Sequence, residues 1–267
     1  MPPISSLQNP TIKLIRSLAN KKYRDETGLF VAEGEKVLHR AYSLGWVSES
    51  FVSTGAVSPW GDARRLEVTP EVMASLSAQN NPSPMLGVFR QRWRESVEPA
   101  GLWIALEDIR DPGNLGTIIR TADAAGASGV ILAGQSCDPW SSECVRATMG
   151  SIFAIPLARM PVPSLMALCK SWSGEAVGTH IQGTEDYRRA YRDPTLIVMG
   201  SEGSGLSDAL ANACSTLVRI PMREGPDSLN VAVAAGLMLF EVRRKDLQST
   251  VIPAKAGTHG SVITNTK

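Results

Sequence analysis

A chain of 267 residues with 43% hydrophobic composition carries enough apolar side chain for one large or two modest cores. Its net charge of +1 selects no class of partner, and four dispersed cysteines (Cys137, Cys144, Cys169, Cys214) without a CxxC pair, beside only three histidines, speak against a zinc site or disulfide framework and for reduced thiols. The opening MPPISSLQNP lacks a basic-then-apolar leader, and no run of about 18 apolar residues occurs, so the expectation is a soluble, cytoplasmic protein without membrane or metal.

Charge is unevenly distributed. Residues 1–95 hold 12 Lys/Arg against 9 Asp/Glu (+3), and the remainder 15 against 17 (−2). Five basic residues and no acid fall in the first 24: Lys13, Arg16, Lys21, Lys22 and Arg24. They read either as a solvated helix face or as a footprint for nucleic acid.

Asn9-Pro10 reads as an N-cap with proline at the first helical position, opening a helix with Leu14 and Leu18 on one side and Lys13 and Arg16 on another. Strand and helix signals then alternate: LFVAEG (29–34), a helix over 36–46, SESFVST (48–54), RLEVT (65–69), a helix over 70–78 and MLGVFRQ (85–91). This predicts a smaller α/β domain over residues 1–95, and the polar, proline-bearing stretch before Leu102 reads as a linker at 96–101. A second α/β run spans 102–247, with strands at 102–107, 129–133, 155–160, 176–180, 195–200 and 216–221 and a last helix from about Ser228. Apolar strands bounded by turns predict a mostly parallel sheet flanked by helices. Residues 248–267 lack periodicity and read as a disordered tail.

Three glycine-bearing loops stand out: DPGNLGTIIRTADAAG (111–126), GSEGSGLS (200–207) and IPMREGPDSLNVAVAAG (220–236). None carries a GxGxxG or GxxxxGK[ST] pattern, which disfavours a dehydrogenase or P-loop enzyme. Any one loop alone could simply turn the chain, with Ser228 capping its helix. Three at the C-terminal ends of parallel strands lie where open α/β sheets bind ligands, and they bring Asn114, Arg120, Glu202, Ser228 and Asn230 toward one place. That set lacks histidine and cysteine, so covalent nucleophilic catalysis fits poorly.

The triplet GNLGTIIRTADAAG, MGSEGSGLS and IPMREGPDSLNVAVAAG resembles the three motifs of the SpoU/TrmH family of RNA ribose 2′-O-methyltransferases, over about residues 102–245. Residues 1–95, with FVAEGEKVLHRA, resemble the RNA-binding domain often fused in front. The resemblance implies S-adenosylmethionine as methyl donor, RNA as partner with ribosomal RNA favoured over tRNA, a homodimer, and a trefoil knot threaded by the segments after Met199 and Pro221. It assigns catalytic positions to Asn114, Arg120, Glu202, Ser228 and Asn230, and cofactor contacts to Gly200, Ile220, Leu229, Met222 and Thr179. The family often reads SLNVSVA where this chain has SLNVAVA, placing Ala232 as a departure. The helix carrying Val231, Ala234, Leu237 and Met238, with Ala235 and Gly236, is the expected dimer face. A non-catalytic RNA-binding or ribosome-assembly factor is the alternative from another class, and the intact polar set argues against it.

Overall fold

Local capping sets the first helix. In the computed structural model, which describes residues 2–55, 64–223 and 228–248, the Asn9 side chain accepts from the Thr11 and Ile12 amides at 2.9 and 3.4 Å. Pro10 opens α1 (Pro10–Ser17), where its missing N–H costs nothing. The helix buries Ile12, Ile15 and Leu18. Leu14, expected on that side, is 41% exposed, because the three-residue spacing of the isoleucines and Leu18 defines the stripe and rotates Leu14 off it.

The first layer continues through α2 (Lys21–Thr27), β1 (Leu29–Glu33), α3 (Glu35–Ser43), β2 (Ser50–Ser53), β3 (Arg65–Glu67), α4 (Pro70–Leu76) and β4 (Met85–Arg90). Its four strands lie in the order β1-β4-β2-β3, with β4 antiparallel to both neighbours and β2 parallel to β3.

The second layer comprises β5 (Leu102–Glu107), α5 (Pro112–Ala124), β6 (Gly129–Ala133), α6 (Ser142–Ala147), β7 (Leu157–Met160), α7 (Val162–Ser171), β8 (Glu175–Thr179), β9 (Glu185–Asp186), β10 (Thr195–Met199), α8 (Asp208–Ala211), β11 (Thr216–Arg219), α9 (Val231–Val242) and α10 (Arg244–Gln248). Its sheet runs β7-β6-β5-β10-β8-β11-β9, and every pairing is parallel. Alternate residues of β5 feed opposite cores: Leu102, Ile104 and Leu106 pack with α5 and α9, whereas Trp103 and Ala105 pack with α7 and α8. Both faces are covered, which is why these strands read as unbroken apolar runs. Strand β9 escaped the pattern because its two residues, Glu185 and Asp186, are polar and exposed. Helix α9 begins at Val231 with Asn230 as N-cap, correcting Ser228 in that role. Residues 224–227, on one expected knot-threading segment, and the tail after Gln248 lie outside the described residues.

The stretch 96–101 joins the layers without separating their cores. Phe30, Trp46 and Phe89 of the first layer share one apolar cluster with Trp140 and Phe153 of the second. Ring centroids lie 4.6 Å apart for Phe30–Trp140 and 4.9 Å for Phe89–Phe153, and the Trp46 indole N–H donates to the Phe153 carbonyl at 2.8 Å. Beside them Arg24 is 4% exposed. Its Nε and Nη2 both reach Asp138 Oδ2 at 2.8 Å, and Nη1 donates to the Leu18 and Ala19 carbonyls. Arg24 is therefore a buried bolt between layers and not an RNA contact, as the run of basic residues had suggested. A guanidinium so desolvated needs its counter-charge.

Asp138→Ala is expected to lower unfolding free energy by about 3–5 kcal/mol, because it strands a buried cation. The pair Arg24→Met with Asp138→Leu should cost much less. Denaturant titration of both variants checks this; equal losses would contradict it.

Candidate functional site

Strands β5 and β10 are neighbours, with Leu106 opposite Met199, so the loops that leave them emerge side by side. After β5, the Asp111 side chain caps α5, accepting from the Asn114 amide at 2.6 Å, with Pro112 in the first turn. That cap fixes Asn114 at the helix start. Its side-chain Nδ2 donates to Glu202 Oε1 at 2.6 Å, and its Oδ1 accepts from Asn230 Nδ2 at 3.0 Å. Asn230 Oδ1 in turn accepts from the Ala232 and Val233 amides at 2.9 and 3.3 Å. One chain of hydrogen bonds thus joins all three glycine-bearing loops. It also braces Glu202 with an amide donor, and Ala232 takes part only through its backbone.

The middle loop closes on itself. Gly205 N–H donates to the Ser201 carbonyl at 3.1 Å, and a Cβ placed on Gly200 would sit 1.9 Å from the Gly205 oxygen. Glycine at 200 is therefore demanded by the loop's own backbone. Glu107, 6% exposed at the end of β5, accepts from the Ser207 amide at 2.9 Å and holds the far end of this loop. Sequence reasoning passed over Glu107; its signal was an acid closing the apolar run LWIAL.

Arg120 lies exposed on α5, outside the Asn114 chain, and its side chain has no hydrogen bond or ion pair among the described residues. Ser228 is likewise exposed and outside it. Of the remaining ligand-contact candidates, Thr179 ends β8 with a buried Oγ1 that has no partner among the described residues. Ile220 packs half-buried against the main core, while Met222 and Leu229 are 40% and 37% exposed. Burial, with Asp111 nearby, pushes the Cys137 thiol up to about 11, away from the thiolate form a nucleophile needs. Among the described residues, no group of three or more His, Cys, Asp or Glu could hold a metal ion.

The five basic candidates stand in different environments. Lys13 and Arg16 are exposed on α1, Lys21 and Lys22 pair with Asp25 and Glu26 one helical turn on, and Arg24 is buried. No helix among the described residues is long and apolar enough to cross a membrane.

Comparison with known proteins places this geometry. The SpoU rRNA Methylase family matches residues 101–240, and the MRM3-like substrate binding domain matches residues 9–87. The AdoMet-bound rRNA methyltransferase from Sinorhizobium meliloti is 43% identical, with a TM-score of 0.83 over 91% of this chain and 98% of that one. AviRb from Streptomyces viridochromogenes, a SpoU methyltransferase crystallised with AdoMet, is 29% identical with a TM-score of 0.81 over 90% of this chain and 99% of its own. RlmP of Bacillus subtilis, a 23S rRNA (guanosine(2553)-2′-O)-methyltransferase, is 29% identical over 248 residues, 91% of this chain and 100% of its own. With all three loops inside the matched span, the chain belongs to the SpoU rRNA Methylase family.

Proposed function

We propose that the protein methylates a ribose 2′-hydroxyl of ribosomal RNA in the cytoplasm, acting as a homodimer. The observation that carries the reading is the Glu202–Asn114–Asn230 chain, which locks three loops together at the C-terminal edge of a parallel sheet. S-adenosylmethionine, when bound, supplies a methyl group already activated by its sulfonium. The residues present fit it: Thr179 offers an unpartnered hydroxyl, Met222 and Leu229 offer apolar surface, and Gly200 and Ile220 offer backbone groups.

What remains for the protein is positioning and charge. Holding two reactants in line removes about 7–11 kcal/mol of barrier in well-oriented cases. Arg120 has no partner of its own among the described residues, so its planar fork is free for an RNA phosphate and for charge developing on the ribose oxygen. A guanidinium holds its proton and accepts none, so a clamp suits it better than a base. Asn114 and Asn230 keep the loops in register through amides whose orientation the bonding chain fixes.

Dimerisation draws support from α9, though from only part of the face expected, since of Val231, Ala234, Leu237 and Met238 only Leu237 is exposed. Val231, Ala234, Ala235 and Met238 are buried within the chain, whereas Val233, Leu237 and Phe240 stand 54%, 38% and 46% exposed in a stripe. The correction follows from α5, which packs across the small residues of α9, with Thr121 Cγ2 3.6 Å from a Cβ placed on Gly236. Sedimentation is expected to give about twice 28.6 kDa, and Phe240→Glu to shift it toward monomer. A single monomeric boundary for the unaltered chain at micromolar concentration would refute the dimer.

Arg120→Ala should leave S-adenosylmethionine affinity nearly intact while slowing methyl transfer by about 10²–10³, with Arg120→Lys recovering little. Gly200→Val should abolish cofactor binding, because the added side chain breaks the loop's own backbone approach. Cofactor calorimetry paired with single-turnover methylation of 23S ribosomal RNA reads both. Loss of cofactor affinity in Arg120→Ala, or absence of cofactor binding by the unaltered chain, would overturn the assignment.

A further inference from the structure

Between the first layer and the outer side of α6 lies a cleft of about 540 Å³, away from the three loops. Its inner lining is apolar, with Leu18, Val31, Val145 and Trp140 among it. Trp140 is 2% exposed, and its buried indole N–H has no acceptor within the described residues. An apolar recess of this size at a junction between layers is the usual form of a small-ligand site.

Three cations line the cleft from three elements: Arg16 on α1, Lys36 on α3 and Arg146 on α6. All are exposed, and no side chain of the three has a hydrogen bond or ion pair among the described residues. Two acids also line it. Glu33 is occupied, accepting from the Ser77 hydroxyl at 2.8 Å and the Ser83 amide at 2.7 Å, which leaves Glu35 as the one free carboxylate of the lining. Met149, 52% exposed on the same cleft, sits at φ 51°, a backbone state uncommon outside glycine. Helix α6, which forms one wall of the cleft, packs on α5: a Cβ on Gly116, in the first turns of α5, would lie 2.5 Å from the Ala147 side chain, and Ala147 follows Arg146.

We propose that this cleft takes one unstacked nucleotide of the RNA, the base against the apolar lining and the flanking phosphates against Arg16, Lys36 and Arg146. The inference rests on the RNA-methylating reading above and adds where the RNA is held. A walled recess admits a base only when it has left a duplex, and single-stranded recognition combines such apolar seats with cations along the backbone. Both layers build the recess, which gives the buried junction a purpose in recognition. A second groove between the layers is lined by Trp46, Arg92, Arg94 and Phe153, and there Arg92 already stacks 3.8 Å over Trp46.

The test titrates the full chain with two synthetic RNAs, a hairpin with an unpaired loop and the same stem closed into continuous duplex. Preference for the looped RNA is expected in the unaltered chain. Ala19→Trp, which fills the cleft from an exposed lining position, and Arg16→Glu with Arg146→Glu should each reduce that preference on the order of tenfold. Arg92→Glu with Arg94→Glu, an equal charge change at the second groove, should leave the preference in place. Equal binding of both RNAs by the unaltered chain, or a preference that survives in both cleft variants, overturns the proposal. Calorimetry with S-adenosylmethionine on the same proteins keeps the two readings apart: lost loop preference with intact cofactor binding fails the cleft alone.

Discussion

Parallel pairing of β5 with β10 brings together residues nearly ninety positions apart, Asn114 and Glu202, and the rest of the site depends on it. Parallel strands expose their loops at a common edge, so two neighbours place two loops within side-chain reach without any loop having to be long. Asn230 joins the pair from the start of α9, which packs on α5. Moving β10 by one strand would dissolve the bonding chain, while leaving each loop's local turn intact.

An amide is well suited to the centre of that chain because it donates and accepts at once. Asn114 gives to Glu202 and takes from Asn230, and Asn230 spends its own oxygen on the first amides of α9. Each helix start here is thereby satisfied by a side chain: Asp111 for α5, Ser207 for α8, Asn230 for α9. Beside this bonding chain Arg120 stands exposed on α5, its side chain uncommitted among the described residues.

The junction between the layers obeys different physics. Aromatic packing across Phe30, Trp140, Phe89 and Phe153 supplies the adhesion, and the Arg24–Asp138 pair supplies orientation, since two nitrogens must meet one oxygen. Residues 96–247 alone would bare Trp140 and Phe153 to water, so the first layer is a structural partner of the second as well as a candidate reader of RNA. A further tie runs from the Arg40 guanidinium to Asp123, whose carboxylate also accepts from the Ser151 hydroxyl within the second layer at 2.6 Å.

From the residues alone, the parallel sheet was legible because LWIALE, GVILA and TLIVM are continuous apolar runs, and so were the loops because glycine and proline punctuate them. Asn114, Glu202 and Asn230 could be named for the same reason, together with the motif resemblance that set them side by side. Charge was where linear reading failed. Arg24 follows Lys22 in a basic run, yet it alone is buried, since burial depends on Asp138 arriving from a loop that lies far along the chain. Likewise Val231 and Met238 could belong to a dimer face or to the core until α5 was seen against them, because a helix apolar on every side carries no stripe to orient it. Periodicity and turn chemistry are local, so the sequence determined the elements and the loops; which side chains meet across those elements is set by long-range packing, and only the tertiary structure decided it.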